Sequence, residues 1–144
     1  MNAGKVRIFL IVILLLGLLD ALYLAYTALT HTEIKCFLVS GCDTVAQSPH
    51  SRFLGVPLAV YGVVYYLGML LVVLAHYVKQ VPLRIHLPLL AFLGGIVGVL
   101  FSLYFIYVQA VLIGAMCIYC IISALATGII FVASALYYRL HKIT

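Results

Sequence analysis

Long runs of apolar residues alternate with short polar segments along this chain. A bilayer core about 30 Å thick is crossed by a helix of roughly 20 apolar residues, and four stretches reach that length. They are predicted at about residues 8–29, 56–77, 87–109 and 113–138. The last two come from one run, Leu87 to Tyr138, that contains no Asp, Glu, Lys or Arg. At about 1.5 Å rise per residue that run suits two spans, with a turn expected between Gln109 and Gly114.

The pattern predicts an all-α membrane protein, with residues 1–144 as a single integral membrane domain. This domain is a four-transmembrane-helix bundle with an outer loop over residues 30–55. The first apolar stretch exceeds the roughly 7–15 residues of a signal peptide, so we interpret it as a retained helix. The composition is 67% hydrophobic and 8% charged, whereas soluble domains are about half apolar and about a quarter charged. A soluble enzyme is therefore excluded, and the scattered basic residues exclude a nucleic-acid binder.

The basic residues are distributed unequally between the two sides of such a bundle. Six of the eight flank the ends that share one side, namely Lys5, Arg7, Lys79, Arg84, Arg139 and Lys142. The other side carries Lys35 and Arg52, which Glu33 and Asp43 offset. Cytoplasmic loops of membrane proteins carry the excess of Lys and Arg. We therefore expect a multi-pass protein of the cytoplasmic membrane, with both termini cytoplasmic and the cysteines on the outer face.

The four cysteines form two pairs, and both pairs fall on the predicted outer side. Cys36 and Cys42 lie in the outer loop, whereas Cys117 and Cys120 form a C-x-x-C at the start of the fourth span. Residues i and i+3 share a helix face, and a helix N-terminus favours the reactive thiolate. Because the outer side is usually an oxidising compartment, the pattern favours a redox dithiol in the C-x-x-C and a flexible loop pair.

Other interpretations of the cysteines remain open at this point. Two structural disulfides would make the protein a disulfide-stapled, non-catalytic membrane scaffold, although a helix that starts with C-x-x-C needs no further restraint. Four thiolates could hold zinc or an Fe–S centre, but no His lies beside either pair, and no metal is predicted. A small transporter would carry several ionisable residues in its spans, and Asp20 is alone there.

Three local stretches resemble the vitamin K epoxide reductase family. The loop segment 41–45 (GCDTV), with Ser48 after it, is similar to the loop motif of that family. Segment 55–62 (GVPLAVYG) is similar to the entry of its second helix, and segment 117–120 (CIYC) to its redox motif. In the DsbB family, another group of four-helix thiol oxidases, the C-x-x-C comes first along the chain, whereas here it comes second. The resemblance spans about residues 15–124.

The resemblance implies a membrane thiol oxidoreductase that generates disulfides in a thioredoxin-like partner and reduces a quinone of the ubiquinone or menaquinone type. It implies that Cys36 meets the thiol of the partner, and that Cys42 exchanges with Cys117. Cys120 would then react with the quinone. Four residues are expected to bind the quinone: Ser48, Tyr61, Phe105 and Gln109. For Tyr61, Phe105 and Gln109 the alternative is packing between helices.

Two positions depart from the vertebrate branch of that family. Ala124 stands where that branch carries a Tyr, and Leu58 occupies the stretch in which it carries an Asn shortly before the residue that matches Gly62. The departures favour a prokaryotic-type homologue. Because the chain ends at Thr144 without a fused thioredoxin-like domain, we expect the partner to be a separate, DsbA-like protein.

Asp20 is the one charged residue within the predicted spans. A carboxylate near the middle of a span costs about 2.5–3.5 kcal/mol on insertion scales, so we expect its side chain to face the bundle interior. Two interpretations remain: a proton route or polar anchor near the quinone, or a carboxyl that is hydrogen-bonded to the hydroxyl of Tyr23 or Tyr26.

Overall fold

Four long helices dominate the computed structural model, which describes residues 2–38, 40–75 and 86–143. The helices are α1 (Ala3–Thr30), α3 (Leu58–Ala75), α4 (Leu87–Tyr107) and α5 (Ile118–Ile143). Each is long and apolar enough to cross a membrane. A helix suits a membrane span because its backbone groups form hydrogen bonds within the segment. The predicted all-α fold with four membrane-spanning helices is confirmed.

The segment between α1 and α3 carries the short structure of the loop. It contains α2 (Cys42–Gln47), a 3₁₀-helix (Pro49–Ser51) and a hairpin of β1 (Arg52–Phe53) with β2 (Val56–Pro57). The strands are antiparallel, with Phe53 opposite Val56. The backbones of Leu54 and Gly55 at the tip have positive φ angles, 51° and 79°, which suits a tight two-residue hairpin turn. The loop is therefore folded rather than extended.

The turn between the third and fourth spans lies later than the sequence indicates. One turn of π-helix, Val108–Ile113, continues α4 past Gln109. The chain reverses at Gly114, whose φ of 70° is a conformation that glycine adopts without a steric penalty. The predicted end of the second span at Tyr77, together with Lys79 and Arg84, lies outside the described residues.

Glycines and hydroxyl groups join the helices to one another. A Cβ at Gly17 of α1 would overlap the ring of Tyr66 in α3, and a Cβ at Gly98 of α4 would overlap the hydroxyl end of Tyr65. Small residues at such crossings let membrane helices approach closely. The Tyr66 hydroxyl lies 2.8 Å from Ser123 Oγ in α5. These contacts pack α3 against α1, α4 and α5.

Candidate redox site

The two loop cysteines are linked, and their two ends differ in exposure. Cys36 and Cys42 form a disulfide with their Cα atoms 6.1 Å apart. Cys42 is the first residue of α2 and is 1% exposed, whereas Cys36 is partly exposed. Beside Cys36, the side chains of Phe37 and Leu38 are 93% and 82% exposed. Cys36 is thus the end of the disulfide nearer the protein surface, and Cys42 is its buried end.

The C-x-x-C stands at the start of α5, as the sequence predicts, with both thiols free. The carbonyl oxygen of Cys117 accepts a hydrogen bond of 3.1 Å from the N–H of Ile121, so Cys117 is the residue just ahead of the helix. Cys120 lies in the first helical turn. A hydrogen bond from the Cys120 thiol, aided by the N–H groups of Cys120 and Tyr119, outweighs burial and lowers the pKa of Cys117 to about 7. Cys117 is therefore suited to react as a thiolate.

The buried ends of the two pairs belong to one cluster. Cys42 and Cys117, each 1% exposed, pack together with Leu24, Ile34 and Val45. This cluster joins the loop to the start of α5 without an intervening polar layer.

Two backbone contacts bring the loop to this position. A Cβ at Gly41 would stand 2.6 Å from the carbonyl oxygen of Met116, so only a glycine allows the backbone of α2 to lie this close. On the other side of the disulfide, the hydroxyl of Tyr119 donates a hydrogen bond of 3.4 Å to the carbonyl oxygen of Lys35. The residues before both loop cysteines thus contact the segment that carries the C-x-x-C.

A cavity of about 310 Å³ opens beside the cysteines. Cys42, Cys117 and Cys120 all line it, and most of its wall is apolar. Two further lining residues, Val97 and Phe101, are also exposed on the outer surface of α4, so the wall reaches the lipid-facing side of the bundle. The volume is at the lower end of the roughly 300–1,000 Å³ of small-molecule sites. No cluster that could hold a metal ion occurs among the described residues.

Two of the residues expected to bind a quinone line this cavity, and two do not. Tyr61 and Phe105 are part of its wall, from α3 and α4. The Tyr61 hydroxyl donates a hydrogen bond of 3.1 Å to the carbonyl oxygen of Phe53, which ties the hairpin to α3. Ser48 is not part of the cavity wall, and its Oγ accepts the N–H of His50 at the start of the 3₁₀-helix.

Gln109 is the second residue that lies elsewhere. Its side chain is fully buried, and its Oε1 accepts a hydrogen bond of 2.9 Å from the N–H of Cys117. The π-helical turn carries this side chain to the C-x-x-C rather than to the cavity wall. The sequence singled out Gln109 but did not predict its contact with Cys117, because no sequence pattern predicts a π-helical turn.

Asp20 reaches the interior of the bundle only in part. Its Oδ2 atom is buried and has no hydrogen-bond partner among the described residues. The two tyrosines considered as partners are placed otherwise: the ring of Tyr23 packs 5.4 Å from that of Tyr119, and Tyr26 is exposed. Since Asp20 lies one helical turn from Tyr23, it stands beside the first turns of α5.

Hydroxyl groups in the cavity wall were not anticipated from the sequence. Ser123 and Thr127 of α5 line the cavity on the same helix face as Cys120. Ser123 pairs with Tyr66, and Thr127 Oγ1 lies 2.8 Å from Ser102 Oγ in α4. The signal for them was available, because residues spaced by three or four share a helix face.

The chain also matches a known family over most of its length. The family model described as the vitamin K epoxide reductase family matches residues 8–135. This range contains both cysteine pairs and every residue that lines the cavity. The match agrees with the resemblance that the motifs of the loop and of the C-x-x-C indicate.

Proposed function

Since this chain belongs to the vitamin K epoxide reductase family, whose members are membrane thiol oxidoreductases linked in general to quinones, we propose that it forms disulfides in a thioredoxin-like protein and passes the electrons to a membrane quinone. The observation that carries the proposal is the order of the four sulfurs. Cys36 is the outermost, Cys42 and Cys117 share a buried cluster, and Cys120 lines the apolar cavity.

The first part of the proposed relay consists of thiol–disulfide exchanges, each of which breaks one S–S bond and forms another. A thiolate of the partner attacks Cys36, and the second thiol of the partner then resolves this mixed disulfide. The partner leaves with a disulfide, and the loop pair becomes two thiols. Cys42 next attacks Cys117 in the Cys117–Cys120 disulfide and releases Cys120 as a thiolate. Cys36 then attacks Cys42, which restores the loop disulfide and releases Cys117.

At the end of these proposed exchanges the loop pair is a disulfide again and the inner pair is a dithiol. The structure has the same bonds, a Cys36–Cys42 disulfide with Cys117 and Cys120 free. In the proposed relay the two electrons then reside on Cys117 and Cys120. In the remaining step, the inner dithiol loses two electrons and two protons and becomes a disulfide. A quinone bound in the cavity accepts the two electrons and the two protons and becomes a quinol.

A quinone fits what this cavity offers. The wall is apolar and reaches the lipid-facing side of α4, from which a lipid-soluble molecule can enter. Tyr61 and Phe105 provide aromatic contacts for a ring, with Cys120 in the same wall. Protein dithiols have potentials of about −120 to −270 mV, and quinones are stronger electron acceptors. Electrons therefore flow from the thiols to the quinone. The quinone is of the ubiquinone or menaquinone type.

Asp20 is proposed as a group that exchanges protons during this last step. Its buried oxygen without a partner lies on the helix face next to Ala21 and Leu24, which line the cavity. Two protons leave the dithiol and two enter the quinone. A carboxyl at this position can accept and donate protons in that transfer. Asp20→Asn preserves the shape and should slow quinone reduction without slowing exchange between the cysteine pairs. An unchanged rate of quinone reduction in Asp20→Asn would remove this role.

The proposed orientation has both termini in the cytoplasm and all four cysteines on the outer face. It rests on the six basic residues that the order of the spans in the sequence assigns to one side and on the positive-inside rule. A reporter that is active only in the cytoplasm, fused after Thr144, should be active. A reporter that is active only outside the membrane should remain silent in the same fusion, and the reverse pattern would refute the orientation.

The decisive experiment mixes purified protein with a soluble quinone analogue and a reduced thioredoxin-like protein, and follows the absorbance of the quinone. Cys117→Ala and Cys120→Ala should each abolish quinone reduction, because neither thiol forms the inner disulfide alone. Cys36→Ala and Cys42→Ala should block oxidation of the partner, while dithiothreitol still drives quinone reduction through the inner pair. Ser40→Ala, between the loop cysteines, is the control and should be active. A stapled scaffold would show no quinone reduction in any of these proteins.

A further inference from the structure

Gln109 organises the connection between α4 and α5 by three hydrogen bonds. Its Oε1 accepts the N–H of Cys117 at 2.9 Å. Its backbone carbonyl accepts the N–H of Gly114 and, at 3.2 Å, that of Ala115. The side chain is 0% exposed, so bulk water does not compete for the hydrogen bond of its Oε1.

The location of Cys117 explains why such a contact is needed. Cys117 precedes the first residue of α5, and the N–H groups at a helix start have no partner inside the helix. Gln109 satisfies this N–H from a neighbouring helix. The backbone of the cysteine is therefore fixed to the end of α4, while its sulfur remains free to change partners between Cys120 and Cys42.

The other end of the same amide has no partner. Gln109 Nε2 is buried and makes no hydrogen bond among the described residues. Buried amide donors are almost always bonded in folded proteins, so an unpaired one suggests an acceptor that forms only during function. Because Nε2 shares a carbon atom with Oε1, it lies close to Cys117. π-helical turns such as the one that carries Gln109 occur frequently at functional sites.

We propose that Gln109 is a positioning residue for thiol exchange, whose Oε1 holds Cys117 beside the loop pair and whose Nε2–H stabilises the Cys117 thiolate as it forms. This inference rests on the proposed relay. In the step concerned, Cys36 attacks Cys42, the Cys42–Cys117 bond breaks, and its electron pair leaves on the sulfur of Cys117. A hydrogen bond to that negative sulfur is stronger than one to a neutral thiol, so the donor favours the release.

Two substitutions separate the two halves of the amide. Gln109→Met has a similar length and removes both the acceptor and the donor. Gln109→Glu keeps an oxygen that accepts the Cys117 N–H but replaces Nε2 with a second oxygen. Val111→Leu, at an exposed position of the same π-helical turn, is the matched control.

The readouts do not depend on a quinone. One is the rate at which the loop disulfide re-forms after partial reduction, and the other is the pH midpoint of alkylation at Cys117. Loss of a hydrogen bond to a charged group should slow this re-formation in Gln109→Met by about tenfold and raise the midpoint. Gln109→Glu should raise the midpoint as well. Val111→Leu should match the unsubstituted protein in both.

Unchanged rate and midpoint in folded Gln109→Met would overturn the inference. If Gln109→Met does not fold, Gln109→Glu decides, and an unchanged midpoint there overturns the role of Nε2. Failure of the proposed function gives a different result. In that case the unsubstituted protein does not reduce a quinone with dithiothreitol, whereas the alkylation midpoint of Cys117 still responds to Gln109.

Discussion

Gly41 lies against the backbone of Met116, so closely that a Cβ at residue 41 would stand 2.6 Å from the carbonyl oxygen of Met116. Each of the two residues precedes a cysteine of the relay, Cys42 in one case and Cys117 in the other. The contact therefore sets the buried end of the loop disulfide against the start of α5. The contact links the backbone segments that carry the two cysteine pairs.

Gly41→Val should separate the pairs without removing a sulfur. The backbone of Gly41 has φ −101° and ψ −3°, which other residues also adopt, so the effect is steric. We expect the exchange between loop and inner pair to slow strongly, with about 1–3 kcal/mol of stability lost to overpacking. Quinone reduction driven by dithiothreitol should persist, since it bypasses the loop. Stopped-flow quinone absorbance with each reductant measures both rates.

The control for this experiment is Gly68→Ala. Gly68 lies within α3, and nothing stands within 4 Å of a Cβ placed there. Its rates with both reductants should equal those of the unsubstituted protein. If Gly41→Val also oxidises the partner at the full rate, the contact with Met116 is not what aligns the pairs.

The reactivity of Cys117 should depend on pH with a midpoint near 7. The Cys120 thiol donates the hydrogen bond that lowers the pKa of Cys117 to about 7, and the thiolate is the form that reacts. Alkylation of Cys117 should therefore be slow below this pH, rise through it and level off above it. In Cys120→Ala the largest lowering effect is lost while burial remains, so the midpoint should move to higher pH. Mass spectrometry of the digested protein resolves the rate at Cys117.

Cys120→Ser is the matched variant for this titration. A serine hydroxyl can also donate a hydrogen bond to Cys117, so the midpoint should stay closer to that of the unsubstituted protein than in Cys120→Ala. Equal midpoints in all three proteins would show that the neighbouring thiol has no such effect.

A large side chain at Ala124 should close the cavity. Ala124 lines the cavity one helical turn after Cys120, so the ring of Ala124→Phe projects into the proposed quinone site. The KM for the quinone should rise or reduction should stop, whereas exchange between the cysteine pairs should continue. Leu125→Phe adds a ring at an exposed neighbouring position and should leave both unchanged. Quinone reduction at the normal KM in Ala124→Phe would place the quinone elsewhere.

The hydropathy of the sequence was sufficient to predict the four spanning helices, because burial in a bilayer depends on composition over about 20 residues. It was not sufficient for the connection after α4. There the end of the helix depends on a π-helical turn and on the left-handed backbone of Gly114. A run of apolar residues predicts neither of these local backbone conformations.

The cysteine pairs were predictable for a different reason. The spacing of C-x-x-C and its place at the start of an apolar run are visible in the sequence, and the structure has Cys117 directly ahead of α5. The contacts of Ser48 and Gln109 were not predictable, since they depend on which groups meet in the folded chain. Gln109 meets the backbone of Cys117, and a contact between two helices requires the packing of the whole bundle.

The most direct test of the relay is the disulfide map of the Cys36→Ala protein, isolated under non-reducing conditions after oxidation by a quinone. Without Cys36, nothing in the loop resolves the bond that Cys42 forms when it attacks the inner disulfide, so the mixed disulfide should accumulate. Mass spectrometry of the digest should then find peptides of Cys42 and Cys117 joined by a disulfide. If Cys117 is bonded only to Cys120 in that protein, electrons do not pass between the two pairs in the way proposed.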